Sequence, residues 1–198
     1  MSSMPDDNDV LRWNQWWCYG CLQQADPSWF DASRFDESDM ALASVHHTAI
    51  RHRLGLAEAY PPEPQNALLQ LGQLAPPARH QVLVLIAAVC RETSGELPDA
   101  LAVWCRRLAK ALRPGLWLPA SLTFSQHREQ DALVILRHRF PASCWSRLPL
   151  LYPRGWGERA QEPLSKDLPA SRIVSLCDAI IWKVVTEQAY GLGSFILK

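Results

Sequence analysis

The stretch ASRIVSLCDAIIWKVVTEQ, residues 170–188, follows Pro169 and decides the class of the fold. Four of its apolar side chains recur at intervals of three or four residues: Ile173, Leu176, Ile180 and Val184. This interval places them on one face of an α-helix. Proline is favoured in the first turn of a helix, where its missing N–H removes no hydrogen bond. The stretch therefore predicts an amphipathic helix that opens at the proline.

Three further prolines, Pro77, Pro98 and Pro141, each open a segment with helical apolar spacing. Other helices are predicted at the following positions: 9–24, 38–54, 65–74 and 129–139. Residues 82–89 and 180–185 are rich in β-branched side chains, but no Asn-Gly or Asp-Gly turn flanks either run, so strands are not favoured. The sequence predicts an all-α fold, an irregular single-domain helical bundle of about seven to nine helices.

The bulk composition is typical of one globular domain. Of the 198 residues, 48% are apolar and 20% are charged, and the formal net charge is zero. We expect one helical domain over residues 1–198, with an acidic, Trp-rich N-terminal arm at 1–37 and a stiff Pro-rich connector at 59–65. The first forty residues hold eight acidic side chains and two arginines. The acidic segment of residues 1–40 and the basic rest of the chain either attract each other or bind different partners.

Two features indicate a cytoplasmic protein. Residues 1–8 are polar and acidic, without the basic start and apolar run of a signal peptide. The longest uninterrupted apolar run, residues 82–90, has about half the length that a bilayer requires. We therefore expect no direct membrane insertion, and the six cysteines are expected to be reduced thiols.

One pair of cysteines has the spacing of a redox motif. Cys18 and Cys21 form a Cys-x-x-Cys sequence directly after Trp17, and thiol–disulfide oxidoreductases use this spacing. The preceding residues have a helical period, so the pair is expected in mid-helix, away from the N-terminal dipole that activates the first thiol. We interpret both cysteines as packing residues and keep a thiol–disulfide oxidoreductase as an alternative function.

Metal and nucleotide sites are not predicted. Zinc would need two ligands besides the cysteine pair, and the candidates are His46, His47 and His52. Adjacent helical residues point about 100° apart, so His46 and His47 do not face one metal. The chain contains no Gly-x-x-x-x-Gly-Lys-Ser/Thr, Gly-x-Gly-x-x-Gly, Gly-x-Ser-x-Gly or His-Glu-x-x-His motif. We therefore expect no catalytic residue, no cofactor and no metal.

Basic side chains cluster at residues 106–113 and 137–139, where they are able to contact phosphates. Each cluster lies at the predicted C-terminal end of a helix, where cations offset the helix dipole. We therefore expect no nucleic-acid partner. Tryptophan, of which the chain has nine, is enriched at protein interfaces. The tryptophans that the core does not need are expected to mark a protein-docking surface.

Two stretches resemble a known family. Residues 25–35, ADPSWFDASRF, are similar to the opening of the type III secretion sorting-platform adaptor family (the SctK/YscK/OrgA type). Residues 144–156, CWSRLPLLYPRGW, resemble the later Trp-x-Arg-Leu-x-Leu stretch of that family. The resemblance implies an all-helical, non-enzymatic cytoplasmic adaptor that is a monomer on its own. Such an adaptor bridges the cytoplasmic domain of the inner-membrane ring protein to the pod (C-ring-like) protein of the injectisome.

The resemblance also implies roles for individual side chains. Trp145, Leu148 and Leu150 are expected to pack in the interior. The candidates for partner binding are Trp29, Phe30, Arg34, Arg147, Tyr152 and Trp156. A secretion chaperone or regulatory helical protein-binding module remains an alternative, although such chaperones are usually strongly acidic dimers and this chain is neutral.

Overall fold

The computed structural model describes residues 7–30, 43–56, 58–91, 97–161, 164 and 167–193. All regular structure within these ranges is helical, and no strand occurs among them. The prediction of an all-α fold is therefore confirmed. Both runs that are rich in β-branched residues, 82–89 and 180–185, lie inside helices.

The described residues form eight α-helices: α1 Asp7–Gln15, α2 Cys21–Gln23, α3 Ala43–Arg53, α4 Asn66–Gln73, α5 Pro76–Arg91, α6 Asp99–Leu112, α7 Arg128–Arg139 and α8 Ala170–Gly193. A π-helical turn, Trp16–Gly20, joins α1 to α2. Short 3-10 turns occur at Pro27–Trp29, Pro114–Leu116, Ala142–Ser146, Leu148–Leu151, Arg154–Gly157 and Arg159–Gln161. The first residues of the helix expected at 38–54 lie outside the described ranges.

Proline opens three of the long helices, as the sequence indicates. α5 begins at Pro76, and the carbonyl of Pro98 accepts from the N–H of Leu101 at 2.9 Å at the start of α6. The segment after Pro141 differs from the expectation, because it forms successive 3-10 turns and not a helix. Pro149 explains the difference, since a proline inside an α-helix removes a hydrogen bond and clashes with the preceding turn.

The chain divides into two compact units. Unit 1 contains residues 1–73 and 140–155, and unit 2 contains residues 74–139 and 156–198. The Pro-rich connector at 59–65 and the described part of the expected N-terminal arm both fall within unit 1. The expectation of a single domain remains a prediction.

The core of unit 1 is built from the tryptophans of α1 and of the π-helical turn that follows it. Trp13 and Trp17 are buried, and their indole N–H groups donate to carbonyl groups of the Pro-rich connector, Trp13 to Pro62 at 2.7 Å and Trp17 to Ala59 at 3.0 Å. A buried indole N–H normally finds an acceptor, and here the connector supplies it. The described part of the expected arm is therefore packed as core.

Gly72 of α4 packs directly against the π-helical turn. The indole N–H of Trp16 donates to Gln24 Oε1 at 2.7 Å. A Cβ atom on Gly72 would lie 2.6 Å from Gln24 Oε1 and 2.7 Å from Trp16 Nε1. Cβ atoms in proteins do not lie this near to other heavy atoms. Glycine, which has no Cβ, therefore allows α4 to pack this closely against Trp16 and Gln24.

Unit 2 is organised around α5, which packs against α6, α7 and α8. The apolar run of α5 is buried on nearly all sides, which is why it lacks a polar face. The carboxylate of Asp131 is fully buried beside this core. It accepts from the guanidinium of Arg159 at 2.5 Å and from the backbone N–H of Phe124 at 2.7 Å. Both carboxylate oxygens are thereby hydrogen-bonded.

None of the helices within the described ranges combines the length and the apolar character that crossing a membrane requires.

We expect Gly72→Ala to lower the free energy of unfolding by about 1–3 kcal/mol, because the new methyl group displaces the Trp16–Gln24 pair. Gly20→Ala is the control, since its Cβ would make an ordinary contact at 3.4 Å with Trp16. Thermal unfolding followed by circular dichroism tests both variants. Equal melting temperatures for Gly72→Ala and the wild type would contradict the packing described.

We expect Asp131→Asn to destabilise the chain by about 2–4 kcal/mol, because it breaks a buried, hydrogen-bonded ion pair. The matched control is Asp178→Asn in the ion pair with Arg139, where the carboxylate is 41% exposed. That variant should cost at most about 1 kcal/mol, since exposed pairs contribute little. Denaturant unfolding of both variants makes the comparison, and a reversed order of the two losses would refute it.

Candidate functional site

Two segments of unit 1 that are distant in sequence lie side by side: residues 25–30 and residues 147–154, called here the paired segments. The backbone N–H of Asp26 donates to the carbonyl of Leu150 at 2.7 Å. The Asp26 carboxylate also accepts from the N–H of Ser28 at 2.9 Å, which caps the 3-10 turn. The paired segments lie within the two stretches, 25–35 and 144–156, that carry the family resemblance.

Trp29 and Arg154 form the exposed edge of the paired segments. The indole N–H of Trp29 donates to the carbonyl of Tyr152 at 2.9 Å, so the ring has a fixed position. The guanidinium of Arg154 lies over that ring, 5.7 Å from its centroid, and the backbone N–H of Arg154 donates to Ser28 Oγ at 2.9 Å. The half-buried indole and the exposed cation together present a surface that combines apolar area with positive charge.

Arg147 and Tyr152 were expected at a partner-facing rim, and the structure places both in the interior of unit 1. Arg147 is 0% exposed and Tyr152 is 2% exposed. The guanidinium of Arg147 stacks over Trp17 at 4.7 Å and donates to Ser146 Oγ at 2.9 Å. Burial lowers the pKa of the Arg147 guanidinium, and the positive charge of Arg51 acts in the same direction. We correct the expectation for these two residues: they are packing residues.

The other candidates are distributed as follows. Phe30 is half-buried in the paired segments, and Arg34 lies outside the described residues. Trp156 belongs to unit 2, where it is half-buried and its ring lies 5.8 Å from the ring of His80. Leu148 and Leu150 are buried, as expected for packing residues, whereas Trp145 is only half-buried.

Arg154 is a surface residue that the sequence analysis missed. It follows Pro153 and precedes Gly155, and this Pro-Arg-Gly sequence is typical of an exposed turn. A turn residue next to a family-like stretch is a signal that should have drawn attention to it. Its contact with Trp29 joins positions 125 residues apart in the numbering, which no local pattern predicts.

The Cys-x-x-Cys pair lies in mid-helix, as the sequence predicts, with Cys18 in the π-helical turn and Cys21 at the start of α2. The thiol of Cys21 is buried and donates to the carbonyl of Trp17 at 3.6 Å. Burial raises the pKa of Cys21 to about 12, so this thiol is neutral at pH 7. A nucleophilic cysteine requires the thiolate, and the environment of Cys21 disfavours it.

The histidines considered as zinc ligands lie on α3. His46 and His52 are exposed, whereas His47 is half-buried with its ring 6.4 Å from that of Tyr19. Across the residues that the structure describes, no three His, Cys, Asp or Glu side chains come together in a way that would hold a metal ion. The paired segments present an aromatic ring and a positive charge, which are groups suited to binding a partner.

We expect Cys18 to be the one cysteine that a thiol reagent labels rapidly in the folded chain. The other five thiols are buried, and burial raises their pKa, to about 11 for Cys105 and Cys144 and to about 12 for Cys90. Brief labelling at neutral pH, followed by peptide mass spectrometry, measures this. Cys18→Ser should remove the rapid phase, and denaturant should make all six cysteines reactive. A second rapidly labelled cysteine would contradict the packing.

The chain was compared with family models, with curated proteins and with solved structures. No family model matches it, and neither a curated protein nor a solved structure does. The candidate site is therefore interpreted from its own geometry and from the resemblance of its two stretches.

Proposed function

We propose that the chain is a non-enzymatic adaptor of a type III secretion sorting platform. In this role it binds the cytoplasmic domain of the inner-membrane ring protein and the pod protein, and it holds the two together at the cytoplasmic face of the inner membrane. It acts by binding and position, so it requires no cofactor.

One observation carries the proposal: the two stretches that resemble the adaptor family contact each other. They are separated by more than a hundred residues of sequence, yet the hydrogen bonds from Asp26 to Leu150 and from Trp29 to Tyr152 join them. Two resemblances that arose by chance would have no reason to meet in one place. Their contact supports the interpretation that they are parts of one recognition surface.

A tryptophan that is accessible at the surface of each unit supports a protein with two binding surfaces. Unit 1 presents Trp29 with Arg154 over its ring. Unit 2 presents Trp182 of α8, which is 63% exposed. Tryptophan and arginine are among the residues that contribute most often to binding hot spots. An adaptor needs one such surface for each partner.

Co-purification with the two partners tests the proposal. The full chain is co-expressed with the ring protein's cytoplasmic domain, with the pod protein, or with both, and we expect two binary complexes and one ternary complex. Arg154→Ala should weaken one binary complex by about tenfold, and Trp182→Ala should weaken the other by a similar factor, as expected for hot-spot residues.

Two exposed positions serve as controls for these variants. Tyr60→Ala removes an aromatic side chain that is 96% exposed, and Arg107→Ala removes an exposed arginine of α6. Both should leave the complexes unchanged. Failure of the wild-type chain to retain either partner would overturn the proposed function. Loss of the same partner with both Arg154→Ala and Trp182→Ala would overturn the assignment of one surface to each partner.

A further inference from the structure

A cleft of about 930 Å³ opens in unit 2. Its walls are the last turn of α5, the C-terminal half of α6 and residues 113–116. Four basic side chains line it: Arg91, Arg106, Lys110 and Arg113. We propose that this cleft binds an acidic segment of a partner protein, one that carries an apolar side chain among its carboxylates. The proposal rests on unit 2 alone and does not depend on the assembly proposed above.

The helical spacing of the cations concentrates positive charge on one side of the cleft. Arg106, Lys110 and Arg113 follow one another at intervals of four and three residues, so they share one face of α6 and of the residue that caps it. All three are exposed, and none of them forms an ion pair within the part of the chain that the structure describes. Among the described residues, their charge is therefore not offset by an ion pair.

Arg91 adds a fourth cation from the opposite wall. It is the last residue of α5, and its guanidinium donates to the carbonyl of Leu122 at 3.2 Å. This hydrogen bond uses one of five N–H donors and holds the group in position. The other donors of the guanidinium remain for a carboxylate, which arginine binds with two parallel hydrogen bonds.

The dipoles of the two helices do not account for this amount of charge. α5 and α6 both end at the cleft, and each C-terminus carries roughly half a negative charge. Counted over the described residues of the lining, the four positive side chains exceed the charge of the two helix ends by roughly three. A cleft with an excess of positive charge attracts acidic ligands and increases their rate of association.

The surface between the cations is apolar. Val89, Ala109 and Pro114 are buried residues of the lining, and Leu116 at the edge is 73% exposed. The side chain of Leu116 is accessible and adjoins the cations of the lining, so a ligand that binds them is able to contact it. An apolar side chain of the ligand would cover it while the neighbouring carboxylates meet the cations.

This lining favours an acidic peptide over nucleic acid or free phosphate. None of the described residues that line the cleft is aromatic, and single-stranded nucleic acids bind by stacking their bases on aromatic rings. Inorganic phosphate would satisfy the cations but leave the apolar surface in water. A peptide with leucines among glutamates satisfies both parts of the lining.

Fluorescence anisotropy of the full chain with a synthetic peptide tests the inference. The probe is a short labelled peptide in which leucines are spaced among glutamates. We expect saturable binding that weakens as the ionic strength rises from about 0.05 M to about 0.3 M, because salt screens exposed charges. Absence of saturable binding at the lower ionic strength would overturn the proposal.

A matched pair of variants locates the site. Arg106→Glu and Arg107→Glu make the same change of charge one position apart on α6, and only Arg106 lines the cleft. Arg106→Glu should weaken binding by about tenfold, which corresponds to roughly 1.4 kcal/mol, whereas Arg107→Glu should change it by less than about twofold. Equal losses in the two variants would show general charge attraction and refute the site. Both positions are exposed, so the fold is expected to be retained.

Two further comparisons define the ligand. Leu116→Ser in the chain, or serine in place of leucine in the peptide, should each weaken binding several-fold. No change in either case would overturn the apolar part of the proposal. A labelled oligothymidylate that binds more tightly than the peptide and depends equally on Arg106 would overturn the assignment to a protein partner.

Discussion

The hydrogen bonds between the paired segments join the two parts of the chain that form unit 1. The chain leaves this unit after residue 73 and returns to it at residue 140, so the unit is incomplete until the second segment arrives. The donors of Asp26 and Trp29 meet the acceptors of Leu150 and Tyr152, and Arg154 then lies over the tryptophan ring. The position of the candidate recognition surface therefore follows from the closure of the fold.

A second constraint comes from the Pro-rich connector. Prolines have no N–H, so residues 59–65 cannot form a regular ladder of backbone hydrogen bonds, yet their carbonyls still need donors. The indole groups of Trp13 and Trp17 supply two of them. The tryptophans and the prolines of this unit are thus complementary, and the high tryptophan content of the first helix is explained largely by packing.

The sequence predicts those parts of the fold that depend on local patterns. The helix of residues 170–193 follows from apolar periodicity and from the proline before it, and α6 follows from the same rule. The π-helical turn was not predicted, because one additional residue in a turn leaves no periodic signal. Apolar spacing does not predict the structure of residues 142–161 correctly. The spacing there is that of a helix, but Pro149 and Pro153 interrupt it.

The candidate site was predicted only in part, for a related reason. The family resemblance implied a partner-facing position for Arg147, whereas the folded chain buries it with its guanidinium over the ring of Trp17. Arg154 was missed because its role depends on a distant tryptophan. Sequence reasoning identified the stretches that meet, whereas the direction in which each side chain points required the folded chain.

The division of unit 1 into two sequence segments has a consequence for its biosynthesis. A ribosome that has completed residue 73 must add more than eighty further residues before residue 155 emerges, which takes on the order of ten seconds in a cell. During that interval the tryptophans of the first helix lack their final covering, while most of the helices of unit 2 are already being made. The nascent chain therefore passes through a period in which these tryptophans are accessible to other proteins, and molecular chaperones have the opportunity to act then.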